Sequence, residues 1–377
     1  MILPRLYSAE TTDFSNNGIG TLSDAIECKV TQGFGSSFLE MKYPVDGHLF
    51  EELQAMRIIF AQPEPDAPAQ PYSIYRMKKT SRKIVYFYAR HVCYNLDGWI
   101  VAPFVASSLK QALERLSANT AVVRPSTLPL PEMTQPKADK YKFNYTFETN
   151  IEAEGDFFNT ATRDIWSVLG KIPKSILEIF GGEIEFDGYT VRILEHIGAD
   201  KGVSIRYGKN LISLEQEENF SKCYSGIVGY YHKDSRYIQS AAIAPGKHPV
   251  AKFLPVNITE KFSSETVNPA VVELATNAYL SSMNKNIFQP EVSITVQLST
   301  LRTREDYNDV ESLEKISIGD TVHVYFPQMD ITSVARVSQT VYDCLRGQYD
   351  SMTIGSEKKN VADVIENQQR QINRIKG

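Results

Sequence analysis

Residues 203–231 read VSIRYGKNLISLEQEENFSKCYSGIVGYY, and the fold class turns on how this stretch is parsed. Val203, Ile205 and Tyr207 alternate with Ser204 and Arg206, the period-two pattern of a strand with one buried face. Gly208-Lys209-Asn210 tolerates positive φ and predicts a reversal. Leu211, Ile212 and Leu214 open a second apolar run, which Glu215-Gln216-Glu217-Glu218-Asn219 carries into a solvated turn. A third run, residues 223–231, holds Gly226 and Gly229, where a bulge or a close backbone approach is expected. The parse is a β-meander.

Outward from that stretch the period changes several times. Residues 1–103 read as one antiparallel β-domain, with strands expected at 25–30, 37–41 and 56–60 and a hairpin of 73–77 with 83–91. Residues 104–200 read as an α+β domain. Ser107 or Ser108 caps a helix whose Leu109, Ala112, Leu113 and Leu116 recur at helical spacing. A hairpin of 183–186 with 189–194 is expected across Asp187-Gly188. Residues 201–235 and 306–356 form a third, split β-domain, interrupted by an α+β insertion at 236–305. In the insertion Asn268-Pro269 opens a helix, with Val271, Leu274, Ala275 and Ala278 as its expected apolar stripe.

The 377 residues suffice for two to four domains, and 42% apolar with 23% charged residues is ordinary globular composition. A net charge of −5 without a basic cluster argues against specific nucleic-acid binding. Four distant cysteines suit reduced thiols and neither a disulfide framework nor a zinc site. The first residues do not read as a signal peptide, and the longest apolar run, 99–106, is too short to span a bilayer. A soluble, cytosol-made protein without membrane insertion is expected.

The strings RYGKNL (206–211), EQEENF (215–220) and YSGIVGYY (224–231) are followed in order by ISIGDTVHVYFPQ (316–328), ARVSQTVYD (335–343) and IGSEKKNVADVI (354–365). Together they resemble the tail-hub family of long-tailed bacteriophages and prophages, which includes the N-terminal part of tail-associated lysins and prophage endopeptidase tail proteins. The resemblance runs from about 203 to 365 and is looser over 1–200, where YARHVCYNL (88–96) matches best. It implies a mainly β, α+β multidomain fold with two tail-tube-like antiparallel β-barrels and two smaller α+β domains. It further implies a homotrimer at the virion tail tip that closes the tail tube. The implied partners are the distal tail protein, the tape-measure protein and a distal fibre or lytic module. Three chains with two similar barrels each present six near-equivalent units, a match to a six-fold tube.

Candidate chemistry is sparse. Glu183, Glu185 and Asp187 share one strand face, and paired carboxylates can work on glycosides; the plainer reading is the solvated face of a hairpin. His91 and Cys93 have no second ligand pair, which points to a buried structural pair. Gly18-Ile19-Gly20 lacks a third glycine, and no GxSxG, HExxH or Walker motif occurs. The expected function is therefore structural, with no catalysis and no cofactor or metal. A cell-wall-degrading peptidase or glycosidase and a host-glycan-binding module are the alternatives. From Glu357 the chain is polar, and Val361, Ile365, Gln368, Ile372 and Ile375 are spaced by 4, 3, 4 and 3 residues. That spacing is a heptad seam suited to trimers, or else one amphipathic helix on the last barrel.

Overall fold

The structure is a computed structural model that describes residues 3–65, 67–121, 143–206, 211–221, 223–246, 250–262, 267–283, 285–298, 316–327 and 331–355. The chain divides into two compact units, residues 215–294 and the remainder. The larger unit begins with β1 (Arg5–Tyr7), β2 (Gly20–Thr21), β3 (Glu27–Gly33), β4 (Ser36–Pro44), β5 (Ile58–Ala61), β6 (Gln70–Lys79) and β7 (Ile84–His91). Alternation sets these strands: in β7, Val85, Phe87, Ala89 and His91 are buried while Ile84, Tyr86, Tyr88 and Arg90 are half-buried.

There follow β8 (Ile100–Val101), β9 (Phe104–Ser108), α1 (Leu109–Ala118), β10 (Thr120–Ala121), β11 (Thr146–Thr149), β12 (Glu154–Asn159) and β13 (Arg163–Asp164), then α2 (Ile176–Phe180), β14 (Glu183–Asp187) and β15 (Thr190–Leu194). Helix α1 forms as its sequence predicts. The Ser108 hydroxyl accepts from the Gln111 amide, and Leu109, Ala112, Leu113 and Leu116 are all buried. They pack with Trp166, Leu169 and Ile193 in a core local to this segment. Asp187-Gly188 turns the β14–β15 hairpin, with Gly188 at φ 56°.

The remaining elements are β16 (Asp200–Arg206), β17 (Leu211–Asn219), β18 (Gly226–Lys233), β19 (Arg236–Ile243), β20 (Phe253–Asn257), α3 (Pro269–Ser282), β21 (Glu291–Leu298), β22 (Thr321–Phe326), β23 (Ile331–Asp343) and β24 (Gln348–Gly355). Three consecutive strands in residues 203–231 are present, but the expected meander is not. β16 pairs in parallel with β22, β17 lies beside β21, and β18 pairs with β19 and β20. Alternation decides that a segment is a strand; which partner it takes depends on burial and packing with distant strands.

In the smaller unit α3 packs on the sheet β19-β18-β20. Its predicted start holds, since Asn268 accepts from the Val271 amide and Pro269 follows. Its predicted stripe does not. Val271 and Leu274 are exposed, and the buried positions are Val272 and Thr276. The reason sits on β18: a Cβ on Gly229 would lie 2.1 Å from the Thr276 hydroxyl, so the glycine admits the helix at Thr276. The buried hydroxyl is satisfied by the Val272 carbonyl at 2.7 Å.

Thirteen strands form one open sheet, and no sheet closes into a barrel among the described residues. The two implied barrels are instead two six-strand modules with one strand order. The first runs β1-β5-β6-β7-β4-β3, the second β16-β22-β23-β24-β21-β17. Numbered along the chain, both orders are first, fourth, fifth, sixth, third, second. The initial strands differ in sense, antiparallel for β1–β5 and parallel for β16–β22. Finer details repeat too. Ile74 on β6 bonds the backbone of Met56 and Arg57, and Val337 on β23 bonds that of Gly319 and Asp320 in the same donor–acceptor pattern. Met56 and Gly319 both have positive φ, 66° and 83°. A register shift follows at Ile74/Arg76 and again at Val337/Gln339. The modules join because the second half of β23 pairs with β3, which uses an edge that barrel closure would need.

Candidate functional site

A polar cluster lies where the β14–β15 hairpin, the 195–201 connection and the turn before β22 converge on β23. Gly198 and Gly319 make the convergence possible, both with positive φ. A Cβ on Gly319 would fall 2.1 Å from the Ile197 carbonyl oxygen, and one on Gly198 would fall 2.2 Å from the Gly319 carbonyl carbon. Arg336 fills the centre. Its Nη1 and Nη2 donate to the two Glu183 carboxylate oxygens at 2.7 and 2.8 Å, Nη2 also to the Ile197 carbonyl at 2.6 Å, and Nε to the Gly319 carbonyl at 2.9 Å. The guanidinium also lies over the Phe34 ring. Asp320, 1% exposed, accepts from the amides of Ala199 and Ser317 and from Lys201 Nζ.

The other carboxylates are also committed. Arg192 reaches Glu148 at 3.1 Å, Glu185 at 3.3 Å and Asp187 at 2.7 Å, and its pKa is held above the usual value, first by Glu148. Thus the face expected to be merely solvated is tied down by two arginines. The Arg192 contact was available from the hairpin register, because Glu185 and Arg192 lie directly opposite. The Arg336 contact, 153 residues away, had no local signal. A general acid and base free to serve a substrate do not arise from this arrangement.

His91 and Cys93 are buried and structural. Nδ1 of His91 accepts from the Cys93 amide, which assigns the proton to Nε2 for donation to Gln70 Oε1 at 3.2 Å. Gln70 continues the chain, donating to Asp187 and accepting from the Gly188 amide. The imidazole stacks on Phe186, and burial pushes its pKa down to about 3, so it stays neutral. Among the described residues no group of three or more histidine, cysteine or acidic side chains is placed to hold a metal ion. The seam residues Val361, Ile365, Gln368, Ile372 and Ile375 lie outside the described residues.

Burial strongly penalises the ionisation of Glu64. Burial raises its pKa to about 7, against a hydrogen bond from Ser317 and the nearby Lys201, which lower it. It borders a cavity of about 90 Å³ also lined by Ser37, Glu185 and Ser317, room for a few waters and below the size of ordinary ligand pockets. The folded state binds the Glu64 proton more tightly than the unfolded chain. Stability associated with this group is therefore full below about pH 4.5 and lost as pH rises through about 7. Glu64→Gln is expected to raise stability by about 1–3 kcal/mol at pH 8 and to change it little at pH 4.5. Thermal melts at the two pH values read this out, and equal shifts at both would refute it.

No protein-family model and no curated protein matches the chain. Among solved structures, it is similar to the prophage tail protein gp18 from Listeria monocytogenes EGD-e, with TM-score 0.56 and 13% identity over 99% of this chain and 100% of that one. A tail protein from Neisseria meningitidis MC58 matches with TM-score 0.53 and 12% identity over 89% and 94% of the two chains. The 43 kDa tail protein of prophage MuSo2 from Shewanella oneidensis matches with TM-score 0.55 and 10% identity over 88% and 94%. The chain has the fold of prophage tail proteins, consistent with the tail-hub resemblance of its motifs. No helix among the described residues is long and apolar enough to cross a membrane.

Proposed function

We propose that this chain is a non-enzymatic structural protein of a phage or prophage tail. In this reading it assembles as a trimeric hub ring at the tail tip, caps the tail tube and carries distal fibre or lytic modules. The observation that carries the reading is fold likeness to three prophage tail proteins over 88–99% of the chain. The ring is supported by the repeated strand order, since three chains with two modules each offer six near-equivalent units to a six-fold tube. The non-enzymatic role is supported by the arginine partners of Glu183, Glu185 and Asp187. The distal tail protein, the tail tube and the tape-measure protein are the partners that such a position requires.

Light scattering on the purified chain at micromolar concentration is expected to give the mass of three chains. Deleting residues 361–377, with the heptad seam, is expected to weaken the trimer without abolishing it. A monomeric full-length chain contradicts the ring, and release of fragments from peptidoglycan contradicts the non-enzymatic role.

A further inference from the structure

The two modules differ in what covers their edges. In the second, β23 pairs with β22 through residues 331–336, and its continuation, residues 339–343, pairs antiparallel with β3. In the first module β6 pairs with β5 through residues 70–73, and Ile74 closes the lead-in turn. Its continuation, from Arg76 onward, corresponds residue for residue to the stretch that β3 covers. On that side residues 75–79 have no strand partner among the described residues. The counterpart of β3 in the second module is β17, a terminal strand of the sheet with β21 as its one strand neighbour among the described residues. Among the described residues each chain therefore has one open strand and one open segment, the two halves of a contact that it already makes internally.

The side chains fit the match. Arg76, Lys78 and Lys79 make the open segment of β6 basic, while Glu215, Glu217 and Glu218 make the second half of β17 acidic. Tyr75 and Met77 are each 42% exposed, and Ile212 on β17 is 61% exposed, so both strands also present apolar side chains to water.

We infer that β17 of one chain adds antiparallel to residues 76–79 of β6 in a second copy, its acidic half against Arg76, Lys78 and Lys79, repeating between chains the β3–β23 junction made within each chain. The inference rests on the ring reading above and names its interface. The contact is heterologous, head to tail, so it closes a ring of three chains when the junction between chains and the junction within a chain each turn through a sixth of a full rotation. Backbone pairing supplies the join, and opposite charge sets partner and direction.

The test is charge reversal in the full chain, read by light scattering over a dilution series. Arg76→Glu/Lys78→Glu/Lys79→Glu and, separately, Glu215→Lys/Glu217→Lys/Glu218→Lys are each expected to weaken self-association about tenfold or more. Both sets combined in one chain are expected to restore it to within a few-fold of the unaltered protein. Circular dichroism checks that each variant keeps its strand content. Hydrogen exchange on the unaltered chain supplies a reading that needs no variant: the amides of residues 76–79 are expected to slow on assembly. A ring indifferent to both reversals, a combined reversal that fails to restore it, or fast exchange of those amides in an intact ring overturns the junction alone. An unaltered chain that stays monomeric overturns the ring reading as well.

Discussion

Arg336→Ala is expected to destabilise the larger unit by about 3–5 kcal/mol, the cost typical of removing one partner from a buried ion pair. The side chain is 8% exposed and satisfies both oxygens of Glu183 and two backbone carbonyls. Truncation leaves the Glu183 carboxylate, 21% exposed, without its counter-charge and the Gly319 and Ile197 carbonyls without this donor. Arg336→Lys keeps the charge but not the planar fork, so it is expected to recover less than half of the loss. Replacing both partners, Arg336→Met with Glu183→Met, is expected to be much milder than the single truncation, because no buried charge is then left alone. Denaturant midpoints of the four proteins measure this. A loss below about 1 kcal/mol for Arg336→Ala would show that the cluster is peripheral to stability.

Gly319→Ala is expected to cost about 3 kcal/mol or more, from two sources. A positive φ of 83° strains any residue with a Cβ, and here the Cβ would also fall 2.1 Å from the Ile197 carbonyl oxygen. Relief is blocked, because the Gly319 amide is bonded to Val337 and its carbonyl to Arg336. Gly202 provides the control. It shares the sign of φ, at 68°, but nothing lies within 4 Å of a Cβ added there. Gly202→Ala should therefore show the dihedral strain alone, about 1–2 kcal/mol. Equal losses at the two positions in matched melts would mean that the close contact of the two turns carries no energy.

What was legible in the sequence was local. The capped stripe of α1 and the Asp187-Gly188 turn were set by residues within a few positions of one another, and both formed as read. Strands β16, β17 and β18 were recognisable from alternation, yet their partners were not. Val203 and Ile205 pair with Val322 and Val324, more than a hundred residues later, and nothing local encodes that choice. The α3 stripe was misassigned because Val272, Thr276 and Tyr279 fall at helical spacing as well as Val271 and Leu274 do. Only Gly229 on a distant strand decides between the two faces. Of the candidate site, the carboxylates were found and their arginine partners missed. The repeat escaped because what Met56 and Gly319 share is a dihedral and a pair of backbone bonds, not a side chain.

In the proposed hub, two matched strand modules per chain build a three-chain ring. Electron micrographs of the purified, unaltered protein at micromolar concentration test it most directly. Class averages are expected to show a closed ring with a central opening, three-fold in its outline and close to six-fold around the opening. Single-chain particles, or open filaments of chains joined without closure, would contradict it.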